Sequence, residues 1–167
     1  QKIFLCGCMA GEEKVVERIK HSFPHVSGVF STHHLWQFPE ILHRVLSTGK
    51  RVYYVQDEPG SIAEGLPQKR DDTLKAWVSI MYGCNNFCTY CIVPYVRGRE
   101  RSRQPEDILA ECRQLIEAGA KDITLLGQNV NSYGKDLDRN VDFSDLLSQI
   151  AQIPGDFLIR FMTSHPR

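Results

Sequence analysis

Hydrophobic residues in the first 55 positions follow two different spacings. Short apolar runs at 3–5, 26–30 and 52–55 are typical of buried strands, and the segments 12–23 and 39–49 between them carry apolar residues at helical intervals. The order strand, helix, strand, helix, strand predicts a parallel sheet covered by helices.

A second alternation occupies the rest of the chain. Apolar runs at 77–81, 123–126 and 157–162 predict three further strands, and the segments 105–119 and 143–150 have the apolar spacing and end signals of helices. The sequence therefore predicts an α/β protein in both halves.

A polar string follows each strand of the second half, at 83–91, 127–134 and 163–166. Parallel α/β sheets and barrels build their sites at the carboxyl ends of their strands. We therefore expect these three strings to meet at one edge of the sheet.

The two alternations are separated by residues 56–73, which are rich in proline, glycine and charge. This break predicts a first domain over 1–66, a linker over 67–75 and a second domain over 76–167. An ordinary surface loop is the alternative interpretation of the same composition.

Composition narrows the class of protein. The 167 residues have a net charge of +0 and 42% hydrophobic content, so the chain can bury a core but has no global field that attracts nucleic acid. Any contact with RNA must be local.

The sequence has neither the pattern of a signal peptide nor an apolar run of about 18 residues that could span a membrane. Six cysteines, three of them clustered, favour a reducing compartment such as the cytoplasm.

The clustered cysteines are Cys84, Cys88 and Cys91, spaced C-x3-C-x2-C. A structural zinc site and a fully protein-bound iron–sulfur cube each need four protein ligands, whereas this run supplies three. One metal atom of a cluster bound by this run would then lack a protein ligand. The alternatives are a zinc site completed by Cys112 or a histidine, and three core cysteines on one helix face. The flanking glycine and proline indicate a loop. Cys112 lies on a predicted apolar helix face, which favours a core position.

Longer strings resemble a known family. The segments 83–95 and 97–103 resemble the methylthiotransferases among the radical S-adenosylmethionine (SAM) enzymes. The strings 126–134 and 160–166 resemble the MiaB-type branch, which acts on isopentenyl-adenosine in tRNA. The segment 7–10 is similar to the third cysteine motif of the family's N-terminal domain.

The resemblance implies a fold for each half of the chain. The first half would be the C-terminal half of the family's small parallel-sheet N-terminal domain. The second would be the first β/α units of a partial TIM-like radical SAM barrel. We accordingly expect the chain to be an internal piece of a longer protein, and to be inactive on its own.

The resemblance also implies cofactors. Cys84, Cys88 and Cys91 would hold a 4Fe–4S cluster whose open iron binds SAM. One electron, delivered by a donor such as flavodoxin or ferredoxin, would then cleave SAM to a 5′-deoxyadenosyl radical. Cys8 would belong to a second 4Fe–4S cluster of the full-length enzyme, with partner cysteines expected upstream of Gln1.

Five further residues are candidates by position. Tyr90 is expected either to contact the adenine of SAM or to form a wall of the cluster pocket. Gly127, Gln128 and Asn129 resemble the family segment that meets the methionine end of SAM, with a polar turn as the alternative. His165 follows the third strand within a family-like string and is a weaker candidate.

Arginines stand at every second position of one segment, at Arg97, Arg99, Arg101 and Arg103. In an extended segment they would share one face, where guanidinium groups suit bidentate contact with phosphate. We therefore predict contacts with nucleic acid. The alternatives are a solvated stripe, ion pairs with Glu100 and Glu106, or ordering of SAM and the cysteine loop.

The resemblance implies that the whole enzyme acts on the anticodon stem-loop of tRNA as a monomer. It would add a methylthio group to carbon 2 of isopentenyl-adenosine beside the anticodon. A methylthiotransferase for threonylcarbamoyl-adenosine or for a ribosomal protein is one alternative. A non-catalytic, zinc-stabilised RNA-binding module is an alternative of another class.

Overall fold

The computed structural model describes residues 1–54, 64–65 and 73–165. The chain forms two compact units: unit 1 is Gln1–Ala63 with Tyr95–Arg97, and unit 2 is Glu64–Pro94 with Gly98–Arg167. Most of the predicted linker, at 67–72, lies outside the described residues, as does position 55 of the third predicted strand.

Unit 1 is a three-stranded parallel sheet with two helices. Its elements are β1 (Ile3–Cys6), α1 (Glu13–Ser22), β2 (Val26–Phe30), α2 (Phe38–Thr48) and β3 (Val52–Tyr54). The strands lie in the order β1-β2-β3, and both neighbouring pairs are parallel. The predicted parallel sheet of the first half is confirmed.

The local sequence explains both ends of α2 and most of the burial along α1. Pro39 occupies the first turn of α2, and Gly49 ends that helix in the left-handed region at φ 67°. Val16 and Ile19 of α1 are buried as the helical spacing predicts. Phe23, predicted on the same face, lies one residue beyond the helix and is exposed.

Between residues 75 and 165 the structure has eight further α-helices and strands, besides a short 3-10 helix at Val130–Ser132. They are β4 (Lys75–Ser79), β5 (Met81–Tyr82), α3 (Val93–Val96), β6 (Arg101–Ser102), α4 (Pro105–Glu117), β7 (Asp122–Leu126), α5 (Phe143–Ala151) and β8 (Leu158–Met162). Strands β4, β7 and β8 form a parallel sheet in that order, which confirms the α/β prediction for the second half.

The predicted strand over 77–81 is wrong in its extent, because the structure divides it in two. Strand β4 ends at Ser79, and β5 leaves the parallel sheet to pair antiparallel with β6. Between them the Ile80 N–H donates to Leu126, while the Ile80 carbonyl accepts from the Arg103 N–H. The break is made by these tertiary hydrogen bonds, which hydrophobic periodicity cannot reveal.

Helices α4 and α5 supply the core of unit 2. Ile108, Ile123 and Leu146 are fully buried in one cluster with Cys112. The predicted core position of Cys112 is therefore confirmed, and burial raises the pKa of its thiol to about 12. Among the described residues, no helix has both the length and the apolar character that crossing a membrane requires.

Candidate cluster and cofactor site

The three polar strings begin at one edge of the unit 2 sheet. Strands β4, β7 and β8 are in register there, with Ser79 opposite Leu126 and Leu126 opposite Met162. The loops that follow these residues therefore leave the sheet side by side. The expectation that the strings share one edge is confirmed for 83–91, 127–134 and 163–165; position 166 of the third string lies outside the described residues.

The cysteine loop turns tightly around its last two thiols. The Cys91 N–H donates to the Cys88 carbonyl at 2.9 Å, so these residues lie within one turn. Cys84 is buried at the start of the loop, and Cys88 and Cys91 are partly exposed. Within the described ranges, no three His, Cys, Asp or Glu side chains are grouped as around a single metal ion.

Gly83 determines how the chain enters this loop. Its φ of +73° lies in the left-handed region, and a Cβ built there would lie 2.0 Å from the Arg99 carbonyl oxygen. The next residue, Cys84, donates its N–H to the Gly98 carbonyl at 3.2 Å. Only glycine permits this close approach of two backbone segments, which holds the first cysteine in place.

Asn85 and Glu100 clamp the loop to the segment before β6. The Glu100 carboxylate accepts the Asn85 backbone N–H at 3.2 Å and its amide at 3.4 Å. In return, the Glu100 N–H donates to Asn85 Oδ1 at 3.2 Å. Glu100 is only 8% exposed, so these bonds satisfy a buried charge. The sequence predicts Glu100 only as an arginine partner, because no local pattern connects residues 15 positions apart.

Replacing Asn85 with Ala should destabilise unit 2 and lower its capacity for iron. The change removes the two hydrogen bonds of the Asn85 side chain, leaving the Glu100 carboxylate one donor fewer and the Glu100 N–H without this acceptor, which costs about 1–3 kcal/mol. Urea denaturation and iron analysis after reconstitution measure the two effects. Asn86→Ala is the matched control, since Asn86 is the exposed neighbour. Equal stability and iron content in both variants would contradict the clamp.

The prediction that the alternating arginines share one face is wrong. The segment is not continuously extended: it contains the end of α3, a turn at Gly98 with φ 74°, and the two-residue strand β6. The exposed Arg99 places its guanidinium over the Phe87 ring, 4.6 Å from the centroid. Arg101 is half-buried, and burial lowers its pKa.

Arg103 is enclosed within unit 2. Its guanidinium is paired with Glu64 and Glu111 and donates to the Ser79 carbonyl at 2.6 Å. Burial alone would lower the pKa of Arg103, but the hydrogen bonds to the two glutamates outweigh it and raise that pKa. Its side chain is 7% exposed, which gives it a structural role.

Glu106 is the second glutamate that was predicted to pair with the alternating arginines, and it pairs with a different arginine. Glu106 is paired with Arg139 at 2.5 Å on the surface of unit 2, and the hydrogen bond from Arg139 lowers the pKa of Glu106. The partners described for Glu100 and Glu106 are therefore Asn85 and Arg139.

Cys8 lies in unit 1, at the start of a short 3-10 helix, Cys8–Gly11. The Arg97 Nε donates to Cys8 Sγ at 3.2 Å within the same unit. The contact places a charged hydrogen-bond donor beside the sulfur atom of Cys8.

The second loop is anchored by Asn129, which is 1% exposed. Its amide donates to Ser132 Oγ at 2.7 Å, and its Oδ1 accepts the His165 N–H at 3.0 Å. Gly127 is packed so tightly that a Cβ there would lie 2.6 Å from Met81 Cγ. The loop is therefore an ordered part of the sheet edge.

Two buried polar atoms at this edge are suited to binding a polar ligand. Gln128 Oε1 and His165 Nδ1 have no hydrogen-bond partner among the described residues. Buried polar groups are normally paired, so both atoms fit a site that receives a polar molecule such as SAM. The adjacent loop supplies three thiols, which in type and number fit an iron–sulfur cluster with one iron left for that molecule, although these thiols do not converge on a single metal position in the described residues.

Tyr90 lies on the rim of this edge. Its side chain is 94% exposed, so it forms no wall of a closed pocket in the described part of the chain. An exposed aromatic ring beside the cysteine loop is available to stack on a flat base.

Comparison with known proteins gives close relatives. The chain is 56% identical over 163 residues to a tRNA-2-methylthio-N(6)-dimethylallyladenosine synthase of Desulforamulus reducens, covering 98% of the chain and 36% of that protein. A protein of the same name from Carboxydothermus hydrogenoformans is 56% identical over 161 residues, covering 96% of the chain and 37% of that protein. One from Natranaerobius thermophilus is 52% identical over 166 residues, covering 99% of the chain and 37% of that protein. The chain thus spans little more than a third of these relatives.

A family profile described as the Radical SAM superfamily matches residues 78–167. The match begins inside β4 and includes all three loops at the sheet edge. The family implies a 4Fe–4S cluster and SAM, in agreement with the donor set found there. Because the matched residues make up more than half of the sequence, the chain belongs to the radical SAM superfamily.

Proposed function

We propose that the protein containing this chain transfers a methylthio group to carbon 2 of isopentenyl-adenosine, next to the anticodon of tRNA. The observation that carries this proposal is the 52–56% identity to relatives named for that reaction, over nearly the whole chain. The three-thiol loop at the carboxyl edge of a parallel sheet supports it independently, because it supplies the donors that radical SAM chemistry needs.

In this proposal Cys84, Cys88 and Cys91 hold the 4Fe–4S cluster. Three protein ligands leave one iron for the amino and carboxylate groups of SAM. When bound, the cluster and SAM supply one-electron chemistry, which suits a ring carbon that polar nucleophiles attack poorly. The protein's part is to orient these groups and exclude water.

The second loop holds the methionine end of SAM. Gln128 presents a buried carbonyl oxygen that can accept from the ammonium group. Asn129 fixes the loop through its bonds to Ser132 and His165, and Gly127 keeps the backbone close to the sheet. The exposed ring of Tyr90 stacks on the adenine.

Further parts of the proposal concern the whole protein. Cys8 contributes to a second 4Fe–4S cluster, and the tRNA anticodon stem-loop is the partner. A flavodoxin- or ferredoxin-type protein delivers electrons to a monomeric enzyme. Six free cysteines fit the reducing environment of the cytoplasm.

A chimera tests the proposed reaction. The matching segment of the Desulforamulus reducens relative is replaced by residues 1–167, and mass spectrometry of tRNA nucleosides follows the product. We expect methylthiolated isopentenyl-adenosine, together with iron and sulfide bound to the protein. Product on threonylcarbamoyl-adenosine instead would favour that branch. Bound zinc with no iron or sulfide would favour the non-catalytic RNA-binding module and refute the proposal.

Arg99 is the arginine whose replacement should affect tRNA binding most directly. It is exposed, whereas Arg101 is half-buried and Arg103 is enclosed. In the chimera, Arg99→Gln should weaken tRNA binding across sequences. The slope of the logarithm of the binding constant against the logarithm of the salt concentration should become shallower by about one, as for one lost phosphate contact. Binding is measured at several salt concentrations.

The matched control for this measurement is Arg113→Gln, an exposed arginine on α4. Iron content is measured in parallel, because the Arg99 guanidinium also covers the ring of Phe87, the residue before Cys88. An unchanged affinity and salt slope with intact iron content would exclude the phosphate contact at Arg99.

A further inference from the structure

The imidazole of His165 lies against the cysteine loop. Its Nε2 is 3.6 Å from Cys88 Sγ, within hydrogen-bonding range for a sulfur acceptor. The two residues are 77 positions apart in the sequence and come from loops that follow different strands. His165 was only a weak candidate from sequence, where nothing indicated which group it would meet.

Side chains of the second loop hold the His165 backbone in place. The His165 N–H donates to Asn129 Oδ1 at 3.0 Å, and its carbonyl accepts from Asn131 Nδ2 at 3.4 Å. Because Asn129 is 1% exposed and also bonded to Ser132, this anchor is rigid. The position of the imidazole therefore follows from contacts on both sides of its backbone.

Thr163 directs the chain toward this anchor. It has a positive φ of 65°, which is uncommon for a β-branched residue and costs conformational energy. Its carbonyl accepts the Val130 N–H at 3.0 Å, and its hydroxyl donates to the Gly127 carbonyl. These bonds maintain the unfavourable conformation, and the turn they stabilise brings residue 165 to Cys88.

If Cys88 holds a cluster, this contact would require an N–H donor on the imidazole. A cluster-bound thiolate can only accept a hydrogen bond, and a neutral imidazole has a single N–H donor. A hydrogen bond donated to a cluster-bound Cys88 would therefore come from Nε2, the imidazole nitrogen that faces the sulfur, and not from the buried Nδ1.

We propose that His165 is a positioning residue that donates a hydrogen bond to the Cys88 thiolate and thereby raises the reduction potential of the bound cluster. The proposal rests on the proposed function, since it requires Cys88 to be a cluster ligand. A donor to a ligating sulfur stabilises the additional negative charge of the reduced cluster, and such hydrogen bonds are among the features that set cluster potentials.

The test compares His165→Ala with His165→Gln in the anaerobically reconstituted protein. Iron and acid-labile sulfide are counted, and the midpoint potential is measured by redox titration followed by electron paramagnetic resonance. We expect the Ala variant to be about tenfold harder to reduce, a fall of about 59 mV for one electron. The Gln variant, whose amide can still donate, should recover part of this loss. His43→Ala, a change of an exposed histidine on α2, should leave the potential unchanged.

The outcomes separate this inference from the proposed function. A His165→Ala protein with full iron and a wild-type potential would overturn the hydrogen bond and leave the cluster assignment intact. A wild-type protein without a 4Fe–4S cluster would overturn both. If Ala loses the cluster while Gln keeps it near the wild-type potential, the donor role is supported. Loss of the cluster in both variants would overturn it.

Discussion

Replacement of Cys84, Cys88 or Cys91 by Ala is expected to abolish binding of the 4Fe–4S cluster. Three thiolates are the minimum protein ligand set for such a cluster, so no single loss can be compensated within the loop. Iron and acid-labile sulfide per chain should fall to background after anaerobic reconstitution, with loss of the broad absorbance at about 400 nm.

Cys6→Ala is the matched control, because Cys6 is an exposed free cysteine in unit 1. It should retain the iron and sulfide content of the wild-type protein. Circular dichroism of each variant shows whether the fold has survived. Full iron occupancy in a folded Cys84, Cys88 or Cys91 variant would show that the residue is not a ligand.

Arg103→Met is expected to produce a large loss of stability. Breaking a buried ion pair by removing one partner costs about 3–5 kcal/mol, because the remaining charges stay buried. Here Glu64 and Glu111 have side chains 32% and 22% exposed, so they regain some hydration. We therefore expect a loss of about 2–3 kcal/mol in the free energy of unfolding of unit 2. Urea denaturation measures it, and Met retains most of the apolar stem.

Arg113→Met provides the comparison, since Arg113 is an exposed arginine of α4. Its replacement should change stability by less than about 0.5 kcal/mol. If Arg103→Met were as stable as this control but bound tRNA more weakly in the chimera, Arg103 would be a nucleic-acid contact and not a structural residue.

The spacing of hydrophobic residues was sufficient to predict most of the fold. Helix α4 begins at Pro105, as the sequence indicates, and Phe143, Leu146 and Ile150 of α5 are buried. Both parallel sheets follow from the order of the elements, since strands joined through helices pair in parallel. These features depend on residues close together in the chain, where periodicity, caps and glycine positions carry the information.

The three-cysteine spacing and the polar strings after each strand also identified the site from sequence alone. The in-register ends of β4, β7 and β8 then place those strings together. Parallel pairing gives every strand the same direction, so the position of a loop along the chain was enough to predict the edge where it lies.

Only the tertiary structure decided which side chains meet at that edge. The sequence predicted four arginines on one face if the segment were extended, but Arg103 is enclosed by two glutamates while Arg99 remains exposed. The bonds between Asn85 and Glu100 join residues 15 positions apart, and the contact between Cys88 and His165 joins residues 77 apart. Such contacts leave no periodic signal, because they depend on where separate loops leave the sheet and on the space that packing provides there.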